Sequence, residues 1–268
     1  KMKKALTAQE LYLKSVKRTN DKVRFWRVSL CVILIAAWEF CARYEMINSF
    51  IFSSPSKLVR CFWKMFSEED LLGHIGITLF ETLASFLLVI AVSLIVAILL
   101  WKSRTLSRVL EPYMVMLNSL PKSALAPLLI VWLGANYKTI ILTGMSVAVF
   151  GSCLNLYTGF MEVDAEKIKL IYTLTGTEKD ALYKVILPAN IPNLFSIMKV
   201  NIGLCLVGVI IGEFIAARRG LGYLIINGSQ VFKMDWVILS ILILCIIAMG
   251  LYLILGLFEK LYQKKSLS

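Results

Sequence analysis

The chain has 268 residues, of which 59% are hydrophobic and only 17% are charged. Soluble domains are typically about 45–50% apolar, so this composition excludes a soluble globular protein and indicates one compact integral membrane domain. The net charge of +12 indicates anionic lipid and basic loops rather than a nucleic-acid partner, because the Lys and Arg residues flank apolar runs.

The chain begins with a basic segment, residues 1–24, that precedes the first apolar run. Its leucines fit an amphipathic helix on the membrane surface, and a partly disordered cytoplasmic tail fits them equally well. The transmembrane domain is predicted to span residues 25–262, and residues 263–268 form a short cytoplasmic tail.

Six apolar stretches are long enough to cross a bilayer, which requires about 20 helical residues. They cover residues 25–42, 75–101, 112–134, 139–160, 194–217 and 236–258. The sequence therefore predicts an all-α, polytopic membrane protein with six transmembrane helices. Between the first two spans, residues 47–72 are amphipathic and are predicted to include a helix that lies along the membrane.

The third span is interrupted by Pro121 and Pro127. A proline at this depth frees backbone carbonyls, which is tolerated only inside a bundle or beside a cavity. We therefore predict a break in this span. Pro112 is predicted to begin it, after a basic loop that contains Lys102, Arg104 and Arg108.

The least hydrophobic interior stretch is the polar insert, residues 164–193, between the fourth and fifth spans. Apolar residues recur at helical spacing on both sides of residues 175–177, which predicts two short amphipathic helices around a break. Pro188 and Pro192 are predicted to end the second helix. We interpret the insert as a docking surface for a soluble partner; a solvated helical loop without a partner fits the spacing equally well.

Six spans place both termini on one side of the membrane. The same side carries the basic residues at 102–108 and the lysines of the insert. Because cytoplasmic loops are enriched in Lys and Arg, both termini and the insert are predicted to be cytoplasmic.

Polar residues at membrane depth are costly and therefore mark candidate functional sites. The candidates for a pathway through the membrane are Asn118, Pro121, Lys122, Asn155, Asn201 and Glu213. Lys122 also fits a position near an interface, and Asn155 also fits a helix–helix hydrogen bond. For Glu213, the structural alternative is an ion pair with Arg218, Arg219 or Lys122.

Other residues inside the spans have structural interpretations. Glu81 is a further acid, for which the sequence names no partner. The glycines at 203, 208 and 212 are predicted to allow close helix packing. The six cysteines contain no CxxC pair, so neither a disulfide framework nor a zinc site is expected.

No enzyme motif is present in the sequence. The chain lacks the GxxxxGK[ST] nucleotide-binding loop. His74 is its only histidine, which excludes a histidine-based metal site or a Ser-His relay. We therefore expect neither an enzyme nor a cofactor in this chain, and any driving energy must come from a gradient or from a partner.

These features resemble the permease subunits of type I ATP-binding-cassette importers. In that family the cytoplasmic insert carries a Glu-Ala-Ala stretch, a Gly a few residues on, and a closing Leu-Pro with a second Pro four residues later. Leu187, Pro188 and Pro192 match the Leu-Pro and the second Pro at the end of this motif. The chain departs from the rest, because the Glu-Ala-Ala position falls on residues 169–171 and the Gly position falls on Thr175.

Other stretches resemble the nitrate, sulfonate and taurine branch of that family. Residues 117–134 are similar to its third-span motif of paired prolines before Trp-x-Gly. Residues 212–225 are similar to its fifth-span Glu followed by GLGY, and residues 53–57 followed by His74 fit as well. Glu81 stands where these permeases often carry Arg.

The resemblance implies a pathway formed by two permease copies in the bacterial inner membrane. An ATPase subunit docks on each insert and binds ATP and Mg²⁺, and an extracytoplasmic solute-binding protein delivers the solute. The implied ATPase contacts are Lys169, Leu170, Leu174, Thr175, Gly176, Lys179, Leu182, Leu187 and Pro188. The branch carries small anions such as nitrate, sulfonates and taurine, and also neutral or cationic vitamin precursors; Lys122, Arg218 and Arg219 favour an anion.

The alternative function is a gradient-driven secondary transporter or a channel. Inverted repeats in such a protein should show as matched broken spans, and only the third span is strongly broken. A membrane scaffold without transport is a further alternative, which the polar residues and prolines at depth disfavour.

Overall fold

The computed structural model describes residues 8–266 as α-helices and turns, with one π-helical turn and no β-strand in that range. The helices are α1 (Ala8–Arg43), α2 (Ser49–Phe52), α3 (Pro55–Glu68), α4 (Leu71–Lys102), α5 (Arg104–Ser119), α6 (Lys122–Leu133), α7 (Tyr137–Met161), α8 (Ala165–Thr173), α9 (Glu178–Ala181), α10 (Leu187–Ala216), α11 (Leu221–Gln230) and α12 (Met234–Ser266). The chain divides into two compact units, Lys1–Trp63 and Lys64–Ser268.

The membrane crossings follow the predicted pattern. Five helical stretches are long and apolar enough to span a bilayer, namely Val16–Arg43, Leu71–Lys102, Tyr137–Met161, Glu178–Ala216 and Met234–Lys264. Helices α5 and α6 pass the same test only as a pair, and they are bent by 97° where they meet. Pro121 is the cap residue of α6 at this bend. The described residues thus confirm an all-helical membrane protein with five or six candidate crossings, and they confirm the predicted break at Pro121.

In the first unit, α1 is one uninterrupted helix that joins the described part of the basic segment to the first predicted span. Near its end, Glu39 accepts hydrogen bonds from the backbone N–H and the hydroxyl of Ser56, at 3.1 and 2.6 Å. The carboxylate thereby satisfies a free N–H in the first turn of α3 and stabilises the positive end of that helix. Residues 1–7 of the predicted N-terminal segment lie outside the described residues.

The second unit is built around α4, α7 and α10, which pack against one another. Small residues lie at the crossings: a Cβ on Gly208 of α10 would be 2.8 Å from the Cα of Gly144 on α7. Ser85 of α4 donates a hydrogen bond to the carbonyl of Ile141 on α7 at 2.9 Å. Close backbone approach of this kind stabilises helix pairs in lipid, where apolar burial alone supplies little.

The packing prediction holds for two of the three glycines. A Cβ on Gly212 would be 3.1 Å from Ile140 Cγ2, so Gly212, like Gly208, lies at a tight crossing. By contrast, a Cβ on Gly203 would meet no heavy atom within 4 Å, and the prediction is wrong there. Five residues along a helix rotate a side chain by about 140°, which places Gly203 on a different face of α10 from Gly208.

The start of the third span also differs from the prediction. Arg104 and Arg108 lie inside α5, which begins at Arg104, rather than in a loop. Ser103 explains this start, because its side chain accepts a hydrogen bond from the N–H of Leu106 at 3.2 Å and so caps the helix. Pro112 therefore lies inside α5 instead of beginning a helix.

Pro188 and Pro192 do not end the second helix of the insert, contrary to the prediction. The chain stays helical over Glu178–Ala216, with the π-helical turn Leu182–Ile186 directly before α10. Pro188 has no N–H to donate to the helix. In the π turn before it, each N–H bonds to the carbonyl five residues back instead of four. This change of hydrogen-bond register lets the helix continue past the proline. The second half of the insert is therefore continuous with the fifth span.

Candidate functional site

The insert folds as two short helices separated by a tight turn. Thr175 adopts a left-handed conformation, with φ of +61°, and the N–H of Gly176 bonds to the carbonyl of Ile171 at 2.9 Å, which ends α8. Thr177 then begins α9 through a capping box with Asp180, in which each side chain accepts the other residue's N–H. This confirms the predicted break at residues 175–177.

Most predicted coupling residues lie on the surface of the insert. Gly176 and Leu187 are half-buried, and the exposed residues are Lys169, Leu170, Leu174, Thr175, Lys179 and Pro188. Leu182 differs, because it is 2% exposed and packs in a core cluster with Phe160 and Ile186, so a partner cannot reach it. Tyr172 and Tyr183, which the sequence analysis did not select, are also exposed.

A cavity of about 500 Å³ lies beside the insert, between the α5–α6 break, α7 and α10. It reaches Glu162, the residue at which α7 ends just before the insert. Its polar lining consists of Asn118, Lys122, Ser152, Asn155, Thr158, Glu162, Asn193, Ser196 and Asn201. Polar groups at this density inside a helical bundle are typical of a water-filled or solute-binding cavity.

The cavity brings together most of the predicted pathway residues. Those that line it are Asn118, Lys122, Asn155 and Asn201. They come from α5, α6, α7 and α10, and the break at Pro121 allows α5 and α6 each to supply one. Pro121 itself is not part of the lining, and Glu213 lies outside the cavity.

The sequence analysis missed five polar lining residues, namely Ser152, Thr158, Glu162, Asn193 and Ser196. Glu162 lies at the end of α7, just before the insert, whereas Asn193 lies inside α10. Asn193 was predicted as the last residue of the insert, because Pro188 and Pro192 were expected to end its second helix. Since α10 begins at Leu187 instead, Asn193 lies on a helix face that meets α7.

Glycines on α7 make room for the asparagine side chains. A Cβ on Gly151 would be 3.2 Å from Asn118 Oδ1, and one on Gly159 would collide with the amide of Asn193. Asn201 is 3% exposed, and its Nδ2 has no hydrogen-bond partner among the described residues. A buried amide without a partner costs free energy, so Asn201 is a polar group that the packing around the cavity leaves unsatisfied.

Lys122 and Glu162 are the charged residues of the cavity lining. Lys122 is half-buried and is also the first residue of α6. The N-terminus of a helix carries a partial positive charge and free N–H groups. The lysine and the helix end therefore favour an anionic group at the same part of the cavity wall.

Glu213 lies in a separate buried site near the end of α10 that is distant from the insert. Its Oε1 accepts a hydrogen bond from the hydroxyl of Thr78 at 2.7 Å, and its Oε2 accepts one from the N–H of Gly222 at 2.5 Å. None of its three predicted basic partners pairs with it, and Arg219 instead lies 3.8 Å from Asp70. Glu213 thus joins α4, α10 and α11.

One ion pair inside the bundle was not predicted. Lys199 of α10 pairs with Glu259 of α12, with side chains 19% and 18% exposed. The ammonium also lies 5.7 Å from the centre of the Tyr252 ring. The two residues are 60 positions apart with no pattern to join them, so sequence reasoning had no signal for this pair.

An exposed helical insert joined to a polar cavity within five or six membrane crossings defines a transport permease rather than an enzyme. Residues 89–267 match the binding-protein-dependent transport system inner membrane component family, and the chain belongs to this family.

Known proteins similar to this chain cover most of its length. It is 26% identical over 236 residues to SsuC of Bacillus subtilis, a permease protein assigned to aliphatic sulfonates transport, covering 87% of this chain and 86% of that protein. It is 30% identical over 233 residues to an ABC transporter permease protein of Haemophilus influenzae, covering 86% of this chain and 94% of that one. The fold is similar to that of the inward facing MetNI methionine ABC transporter, with a TM-score of 0.64, 17% identity, and coverage of 71% and 94%. The predicted type I importer permease of the sulfonate and taurine branch is confirmed.

Proposed function

We propose that this chain forms the translocation pathway of an ABC importer for a small solute, powered by ATP hydrolysis in a separate ATPase subunit. Sulfonates, taurine and similar small anions are the favoured solutes. The observation that carries the proposal is the position of the polar cavity, which lies directly beside the exposed insert. In this proposal the cavity holds the solute and the insert receives the force.

The continuous helix from the insert to the cavity supports this coupling. Helical structure extends over Glu178–Ala216, so α9 lies on the same helical segment as Asn201 in the cavity wall. A displacement of α9 by a partner is therefore transmitted to the wall, because a packed helix moves as a rigid body. Bound solute and bound ATPase thereby become coupled through one element.

The exposed apolar residues of the insert support a protein partner on this surface. Leu170 and Leu174 are apolar, yet they are 58% and 68% exposed and do not face the core of the unit. An amphipathic helix of this kind fits a hydrophobic groove, and we assign that groove to the ATPase subunit. Lys169, Thr175, Gly176, Lys179, Leu187 and Pro188 complete the proposed contact, whereas the buried Leu182 supports it from below.

Leu174→Asp is expected to uncouple the importer. Truncating a central interface residue typically costs about 2 kcal/mol, or about 30-fold in affinity, and a buried carboxylate adds to that cost. The permease would be co-expressed with the ATPase encoded nearest to it, and complex recovery, ATP hydrolysis and uptake would be measured in lipid vesicles.

Thr173→Asp is the matched control, since it adds the same charge to the neighbouring exposed position of α8. We expect it to keep complex recovery and uptake near the unsubstituted level. Full coupling in Leu174→Asp would remove Leu174 from the ATPase interface, and equal loss in both variants would assign the effect to the added charge rather than to the leucine side chain.

We further propose that the insert and both termini are cytoplasmic and that the protein is a multi-pass component of a bacterial inner membrane. A second permease copy completes the pathway, and an extracytoplasmic solute-binding protein delivers the solute at the opposite face. The surplus of Lys and Arg on the insert side supports this orientation.

Labelling of Lys179→Cys in a cysteine-free background tests this topology. A membrane-impermeant maleimide is expected to label this exposed position only after the cytoplasmic side is opened. Arg218→Cys, exposed near the other end of the same helical segment, should be labelled from outside in intact cells. Labelling of position 179 in intact cells would reverse the proposed orientation.

A further inference from the structure

Two carboxyl groups meet inside the second unit. Glu81 of α4 is 2% exposed and Glu213 of α10 is fully buried. Thr78, whose hydroxyl bonds to Glu213, and Glu81 are both buried and lie one turn apart on the same face of α4, which places the two carboxyl groups at the same level of the bundle. A carboxylate can only accept hydrogen bonds, so two ionised carboxylates in this arrangement could not bond to one another.

The remaining hydrogen bonds show which of the two groups is ionised. Both oxygens of Glu213 accept bonds from neutral donors, the hydroxyl of Thr78 at 2.7 Å and the N–H of Gly222 at 2.5 Å. Glu81 Oε2, by contrast, has no donor among the described residues. An oxygen that is buried and receives no hydrogen bond is the better place for a proton, which converts it into a donor.

The surroundings of the pair provide no cation to balance a second negative charge. Among the described residues, no Lys, Arg or His forms an ion pair with Glu81 or Glu213. His74, the nearest titratable residue of α4, uses Nδ1 to accept the N–H of Gly220 at 2.9 Å. Arg219 lies beside Asp70. Two buried like charges without a counter-ion are strongly destabilising.

We propose that Glu81 is a neutral carboxylic acid that donates a hydrogen bond to the Glu213 carboxylate, so that the pair binds one proton and holds the α10–α11 turn against α4. Glu81 is thus a positioning residue for the turn. Its proton gives Glu213 a third donor and leaves one negative charge in the site.

The turn depends directly on Glu213 and its neighbours. A Cβ on Gly222 would be 2.8 Å from Glu213 Oε2, so the backbone lies against the carboxylate. The N–H of Leu221 bonds to the hydroxyl of Thr78 at 2.8 Å, and this hydroxyl donates in turn to Glu213. Loss of the shared proton would force the two carboxylates apart and disturb each of these bonds.

Infrared difference spectroscopy of the full-length permease in lipid nanodiscs tests the proposal. A neutral carboxylic acid has a carbonyl band that ionised carboxylates and amides lack. We expect such a band at neutral pH in the unsubstituted protein and its loss in Glu81→Gln. Glu259→Gln serves as the matched control, because Glu259 is an interhelical carboxylate that pairs with Lys199, and it should leave the band unchanged.

Melting temperatures separate the shared proton from simple packing. Glu81→Gln keeps a donor toward Glu213 and is expected to melt at the unsubstituted temperature, whereas Glu81→Leu keeps similar volume without a donor and should melt several degrees lower. Absence of the band, its persistence in Glu81→Gln, or equal melting of the two variants would overturn the proposal. Stability that depends on added Na⁺ or K⁺, without the band, would also overturn it and indicate a bound metal cation.

Discussion

Replacing Gly208 with leucine is expected to prevent α7 and α10 from packing at their closest crossing. A Cβ at this position would be 2.8 Å from the Cα of Gly144 and 3.1 Å from the carbonyl oxygen of Thr143. Overpacking a core typically costs about 1–3 kcal/mol. Because the opposing atoms here are backbone and cannot rotate away, we expect about 4 kcal/mol, a large share of the ordinary stability of about 5–15 kcal/mol.

The measurement is thermal unfolding of the purified permease in lipid, and Gly203→Leu is its matched control. Gly203 lies on the same helix, but a Cβ there meets no heavy atom within 4 Å. We therefore expect Gly203→Leu to leave the melting temperature unchanged or to raise it slightly, because leucine has the higher helix propensity. A Gly208→Leu protein that melts with the unsubstituted one would show that the helices cross elsewhere.

The membrane spans could be predicted because lipid imposes a length and a composition on each one. The break in the insert was also predictable, since residues 175–177 interrupt a helical pattern on both sides. The effects of Pro112 and Pro188 were not predictable in the same way, because a proline signals a missing donor without showing how the chain compensates. At Pro188 a π-helical turn does so, and at Pro112 the helix continues from the strong cap at Ser103.

The cavity was predicted in part, and the same criterion also selected a residue that lies outside it. Polarity at membrane depth identified Asn118, Lys122, Asn155 and Asn201, all of which line it. It also selected Glu213, because depth alone does not separate a solute contact from a group that fixes a turn. That distinction depends on which backbone N–H groups approach the carboxylate, and only the fold shows that Gly222 does.

Asn155 is a second residue whose role could not be decided from polarity at membrane depth alone. The sequence left a helix–helix hydrogen bond open for this residue, whereas in the described part of the chain its side chain faces the cavity and is exposed. The small residues around it decide this outcome. Because Gly151 and Gly159 lie on the same helix and leave space for Asn118 and Asn193, the asparagines surround a void instead of bonding across a closed interface.

Lys122→Ala is expected to reduce uptake of a sulfonate by about tenfold or more while the permease still assembles with its ATPase. A charge-assisted hydrogen bond contributes about 1.5–3 kcal/mol, which corresponds to roughly 10–150-fold in binding. Uptake would be measured in vesicles that contain the permease and its ATPase, with solute-binding protein supplied. The effect should fall on the concentration dependence of uptake rather than on the amount of complex recovered.

Two further variants serve as controls for this prediction. Lys122→Arg keeps the positive charge at the start of α6 and is expected to retain a substantial part of the uptake, whereas Lys138→Ala removes an exposed lysine outside the cavity lining and should have no effect. If Lys122→Ala transports a sulfonate with unchanged kinetics, the residue does not contact the solute. If it instead transports a neutral solute better than the unsubstituted protein does, the cavity selects solutes by charge at this position. The reason is that removing the ammonium removes its attraction for an anion and also the cost of desolvating it when a neutral solute binds.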